Sequence, residues 1–166
     1  MKIAILYHSV SGNTRSIAEN IQSGMEQIHG VEVKTMSIDE IDDSFVRDAK
    51  AVVLGCPIYA GSLSWQMKKF LDTTNLPLSG KLGCVFAMAN FLGGGGSVGE
   101  LTMITAMLVR GMLVYSAGAA EGQPYTHLGI VAIRSGDDWQ KERARIFGER
   151  VARKATELWG DTSEKS

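Results

Sequence analysis

Short, nearly unbroken apolar runs alternate along the chain with longer stretches in which apolar residues return every three or four positions. Lys2–Tyr7, Ala51–Cys56, Lys81–Ala89 and Met112–Tyr115 are runs of the first kind, the pattern of strands covered on both faces. Val31–Thr35 alternates and predicts a further strand. Asn13–His29 puts Ile17, Ile21, Met25 and Ile28 at helical spacing, and Gly30 is placed to end that helix. Ser64–Thr74 reads as a helix with Met67, Phe70 and Leu71 facing inward, and Ser97–Arg110 as an apolar helix. Asp137–Trp159 carries Phe147, Val151, Ala155 and Leu158 on one face, charges on the other, and Gly160 at its end. The polar stretch Ser37–Asp48 has room for a short helix. Ser116–Ser135 resists assignment, although His127–Ile133 has the character of an extra strand.

Five strands separated by helices predict an α/β fold, a parallel sheet with helices on both faces. One domain is expected over residues 1–160, with a disordered polar tail at 161–166; there is no internal repeat or linker. In such folds ligands sit beyond the carboxyl ends of the strands, near the point where strand order reverses. The loops after Tyr7, Cys56, Ala89 and Tyr115 are therefore where function is expected.

Composition narrows the classes. The 166 residues are 45% hydrophobic and 21% charged, and seventeen basic against eighteen acidic side chains leave a formal charge of −1. A clustered basic surface for nucleic acid is not indicated, nor is an acidic carrier steered by long-range charge. No segment reaches the roughly eighteen apolar residues of a membrane span, and the apolar stretch after Lys2 is too short for a signal peptide. No membrane association is expected, and a cytoplasmic location is. Cys56 and Cys84 lie in apolar runs where a thiol packs as a small hydrophobe. With three scattered histidines they show no ligand spacing, so no metal site is expected.

The chemistry concentrates in His8-Ser9-Val10-Ser11-Gly12-Asn13-Thr14-Arg15, between the first strand and the first helix. A helix start exposes unpaired backbone N–H groups and a positive partial charge. Gly12 lets backbone approach a ligand without an intervening Cβ. Ser9, Ser11, Asn13 and Thr14 add neutral donors, and together they form a socket for a phosphate dianion. One helix cap would need only one of these residues. The lysine of a nucleoside triphosphate loop is missing, so the anion expected is a terminal monophosphate that is not transferred. Arg15 is placed either to add a charge or simply to face solvent.

The run Ser9-x-Ser11-Gly12-Asn13-Thr14 after a first strand resembles the phosphate loop of flavodoxin-like proteins, [ST]-x-[ST]-G-x-T. The likeness extends from Met1 to about Trp159. It leans towards the NAD(P)H:quinone oxidoreductase branch through Gly55-Cys56-Pro57-Ile58-Tyr59, Met67-Lys68-Lys69-Phe70-Leu71-Asp72, Gly80-Lys81-Leu82-Gly83 and Gly122-Gln123-Pro124-Tyr125. The resemblance implies a doubly wound five-stranded sheet in the order 2-1-3-4-5 and one flavin mononucleotide (FMN) as cofactor. It also implies that Pro57, Ile58, Tyr59, Ala60 and Gly61 form one loop against the flavin ring, and Ala89, Asn90, Phe91 and Gly93 a second. Pro57 stiffens the strand exit, and Tyr59 offers a flat face to stack on or is a surface tyrosine. Trp65 leans over the pocket, packs in the core or meets another subunit. Asn90 and neighbouring amides suit the pyrimidine edge of the ring, while Phe91 covers a face or packs beneath its loop.

Gly94-x-Gly96-x-x-Gly99 formally matches a dinucleotide fingerprint, but four consecutive glycines produce such a match by composition. A flexible loop shaping access to the flavin is expected instead. No catalytic residue is assigned; Tyr59 and His127 are candidates, the histidine as a proton donor or a structural group. The quinone reductase branch carries a histidine in the glycine-rich loop where this chain has Gly93–Ser97. Two readings stay open. One is an FMN-dependent oxidoreductase passing electrons or hydride from NAD(P)H to a quinone or similar acceptor. The other is a one-electron carrier between redox protein partners. Leu63, Trp65 and the helix from Leu101 would suit a homodimer or larger homo-oligomer.

Overall fold

A computed structural model describes residues 1–160; the tail expected to be disordered lies outside the described residues. The central strands β1 (Lys2–Tyr7), β2 (Glu32–Ser37), β3 (Ala51–Tyr59) and β5 (Leu82–Ala89) are parallel, in the order β2-β1-β3-β5. All eight residues of β5 are buried, which is why its sequence reads as one continuous apolar run. The fifth position is split between two short strands on the outer edge of β5. β6 (Leu113–Val114) pairs with its start, Leu82 and Gly83, and β7 (Ile130–Ile133) with its end, Phe86–Ala89. The extra strand expected at 127–133 thus continues the fifth strand after an excursion over residues 115–129. Arg150 holds that excursion down through bonds from its guanidinium to the carbonyls of Gln123 (2.7 Å) and Pro124 (2.8 Å).

Helices α1 (Asn13–Met25) and α5 (Asp138–Trp159) cover one face, packing Ile17, Ile21, Phe147 and Val151 on Ile3, Ile5 and Phe86. On the other face α2 (Asp43–Asp48), α3 (Trp65–Thr73) and α4 (Gly96–Val109) pack on Ala4, Leu6, Leu54 and Val85. Each face of the sheet thereby loses its apolar surface to helices, and the doubly wound fold expected from the sequence is what forms. Helix α1 stops a full turn before Gly30, capped at Glu26 by bonds to the carbonyls of Gln22 and Gly24; Ile28 packs against the core from the loop instead. Ser64 caps α3 and Asp137 caps α5 with their side-chain oxygens. Cys56 and Cys84 are free, buried thiols, one in each of the adjacent strands β3 and β5, and burial raises both out of the reactive range. Among the described residues no helix is long and apolar enough to cross a membrane.

Candidate functional site

The carboxyl ends of β1, β3, β5 and β7 open onto one end of the sheet, and the loops leaving them meet there. The backbone N–H of His8 still pairs with Gly55 O (3.0 Å), so the chain leaves β1 only after that residue. The imidazole of His8 is buried with neither ring nitrogen partnered among the described residues, and burial pushes its pKa down. Gly12 then turns at φ +87°, a left-handed conformation that favours glycine, and accepts the Ser16 N–H at 2.9 Å. Gly12 brings no side chain to cap the helix N-terminus, and from the preceding loop only Ser9 Oγ reaches it, accepting the Arg15 N–H at 3.4 Å. The side chains of Ser11, Asn13 and Thr14 make no hydrogen bond within the described residues and line a cavity of about 120 Å³. Donors left without protein partners beside a bare helix end are what a phosphate dianion needs.

The same cavity draws in Pro57, Ile58, Tyr59, Ala89 and Asn90, all expected at the site, with Met88 directly ahead of the second loop, and also Val10 and Arg134, which were not expected. The first ring loop is a tight hairpin. Tyr59 pairs with Ser62 in β4 (Ser62–Leu63), and the two residues between them, Ala60 (φ +48°) and Gly61 (φ +82°), are both left-handed, as a two-residue turn joining twisted strands requires. Phe91 and Leu92 of the second loop stand 66% and 88% exposed, and with Gly93 they border a neighbouring cavity of about 430 Å³. Tyr59, Ala60 and the largely exposed Trp65 edge a broader groove of about 750 Å³ beside α3. Trp65 is thus a surface residue and not part of the core.

Two glycines of the run, Gly95 and Gly96, and Gly99 after it have a packing origin, beyond the flexible access expected for the loop. A Cβ at Gly95 would lie 2.1 Å from the carbonyl oxygen of Gly61, one at Gly96 2.8 Å from Val131, and one at Gly99 2.4 Å from Ile58. The loop after β5 is therefore wedged between the hairpin and β7. His127 is exposed and lines none of the cavities described at this end of the sheet. Arg15 pairs with Glu19 at 2.7 Å on the outer side of α1, the solvent-facing alternative.

Two groups carried no sequence signal. Arg134, directly after β7, sits at φ +58°. Glu100, in the first turns of α4, is 2% exposed, and its Oε1 has no partner among the described residues. Burial pushes the Glu100 carboxyl up to about 7 from 4.5, with Arg143 drawing it part of the way back. The folded protein then holds a proton that the unfolded chain releases between about pH 4.5 and 7. Stability is expected to fall as pH rises through that window, by on the order of 3 kcal/mol from this group. Thermal melts of wild type and Glu100→Gln should diverge from pH 5 to pH 8, the variant holding its stability better; parallel profiles would refute the assignment.

A family profile described as "Flavodoxin domain" matches residues 4–90, the span from within β1 to the start of the second ring loop. A protein named flavodoxin from Clostridium saccharobutylicum is 42% identical over 160 residues, covering 96% of this chain and all of the relative. A protein named NAD(P)H dehydrogenase (quinone) from Archaeoglobus fulgidus is 27% identical, covering 95% of this chain and 98% of its own. Among solved structures, a flavodoxin described as a WrbA-like protein from Agrobacterium tumefaciens superposes with a TM-score of 0.79 at 24% identity, over 94% of this chain and 98% of that one.

Proposed function

The chain belongs to the flavodoxin family, and from that premise we propose that it binds one FMN at the end of the sheet and carries electrons between redox protein partners. The observation that carries the reading is the set of unpartnered donors from Ser11, Asn13 and Thr14 at the bare start of α1, opening into the cavity shared with Tyr59 and Asn90. These residues fit the cofactor: a neutral-donor socket for the phosphate, and two loops with exposed aromatic side chains next to it for the ring. FMN, when bound, supplies the redox chemistry by taking up and releasing electrons.

The protein's own residues bind and orient. Gly12 turns the backbone so that the first amides of α1 face the phosphate, and Ser9, Ser11, Asn13 and Thr14 add donors around it. Pro57, Ile58, Tyr59, Ala60 and Gly61 form one wall for the ring; Ala89, Asn90, Phe91 and Gly93 form the other. The left-handed Ala60 and Gly61 keep the hairpin short, and Gly95 braces it from behind. Tyr59, Trp65, Phe91 and Leu92 leave an apolar rim exposed around the site, the kind of surface a docking redox protein covers.

A second reading, transfer from NAD(P)H to a quinone, draws support from the groove of about 750 Å³ lined by Tyr59, Leu63 and Trp65, wide enough for a flat organic acceptor. Anaerobic mixing of the yellow protein with NADPH or NADH separates the two. A carrier keeps its flavin absorbance for minutes until a reductase protein is added, whereas rapid bleaching by the nucleotide alone would overturn the carrier reading in favour of the enzyme. A purified protein without flavin absorbance, and unable to take up FMN, would end both.

A further inference from the structure

Arg134 is held where a side chain of its kind is not expected. Its φ of +58° lies in the left-handed region, which strains a residue with a Cβ relative to glycine. The chain around it leaves no way out. The Arg134 N–H donates to Ala89 O at 2.8 Å, the Ile133 N–H to Gln140 Oε1 at 2.8 Å, and the Gly136 N–H to Ile133 O at 2.9 Å. Strain of this kind, fixed by surrounding bonds, concentrates at ligand clamps.

Charge points the same way. Among the described residues Arg134 is the one cation lining the cavity that Ser11, Asn13 and Thr14 also line. Its guanidinium makes no hydrogen bond or ion pair within the described residues. Asp137, the acidic group of its own loop, instead accepts the Gln140 N–H at 2.8 Å. Arg15, the other arginine near the socket, is taken by Glu19. A dianion gripped by hydroxyls and amides alone lacks an opposite charge, and a charge-assisted bond is roughly twice as strong as a neutral one.

We infer that Arg134, delivered by its left-handed turn at the end of β7, is the cationic partner of the cofactor phosphate, so that the socket is built from two distant segments of the chain. The inference rests on the FMN reading above. It is tested on flavin-free protein by fluorescence titration with FMN and with riboflavin, which has the ring but no phosphate. Arg134→Gly suits the left-handed turn and should melt no lower than wild type without flavin. It is expected to raise the Kd for FMN at least tenfold and to leave that for riboflavin within twofold; Arg134→Lys should recover most of the FMN affinity. Equal weakening of both ligands, or no change for FMN, would overturn the assignment while leaving the FMN reading standing. Wild-type protein that binds no FMN would overturn both.

Discussion

Replacing Ser11 by aspartate is expected to raise the Kd for FMN by at least about a hundredfold, roughly 2.7 kcal/mol, while the flavin-free protein melts at the same temperature or slightly higher. The two effects have opposite signs because one charge acts on two partners. Ser11 stands just before the N-terminus of α1 and lines the cavity proposed for the phosphate. An aspartate there meets the positive end of the helix, worth about 0.3–1 kcal/mol in its favour. Against a phosphate dianion a few ångströms away the same carboxylate is repelled, by about 4 kcal/mol per unit charge at 4 Å in a medium of intermediate polarity. Ser11→Ala removes one neutral donor and should cost only about 0.5–1.5 kcal/mol. Titration with FMN alongside thermal melts measures both, and an aspartate variant that binds FMN as tightly as wild type would place the phosphate elsewhere.

The second large effect is on stability. Helices α1 and α5 touch backbone to backbone: a Cβ on Gly24 would lie 1.8 Å from Arg145 O, and one on Gly148 2.0 Å from Ile21 O. Neither neighbour is the end of a flexible side chain, so a larger residue must push the helices apart. Gly148→Val is expected to lose about 3 kcal/mol, the upper end of what overpacking costs, and so to lower Tm by roughly 6–12 °C in a domain of this size. Because the proposed phosphate socket lies at the start of α1, FMN affinity should fall as well, though less than in Ser11→Asp. A melting temperature within about 2 °C of wild type would mean that the helices separate freely.

The loop proposed to hold the phosphate could be picked out in the sequence because its signal is local. A strand end, a glycine and the first turn of a helix lie within eight positions, and short-range sterics decide their conformation. Asn90–Gly93 was legible as a loop because a buried apolar run stops there. By contrast, β3 runs on through Pro57, paired with Met88, to Tyr59, so the proline expected to end the strand does not, and only Ala60 and Gly61 form the turn. Arg134 and Glu100 were not legible. Nothing about an arginine announces a left-handed turn; that conformation is imposed by bonds to Ala89 and Gln140, one of them 45 positions back in the chain. A glutamate one turn into an apolar helix looks like a solvated charge until β5 and Gly129 close over it. His127 drew notice for its chemistry alone, and the fold leaves it exposed and apart from the cavities.

The chain by itself determined its class, the number of its main strands, which helices are amphipathic, and which strand-to-helix loop is proposed to hold an anion, since periodicity and turn chemistry act between near neighbours. Tertiary structure alone decided that the fifth strand is split around residues 115–129, that Gly95 and Gly96 let the loop after β5 come close to the hairpin and β7, and that Arg134 lines the same cavity as Ser11. Those outcomes depend on contacts between segments tens of residues apart, and such contacts exist only once the sheet has formed.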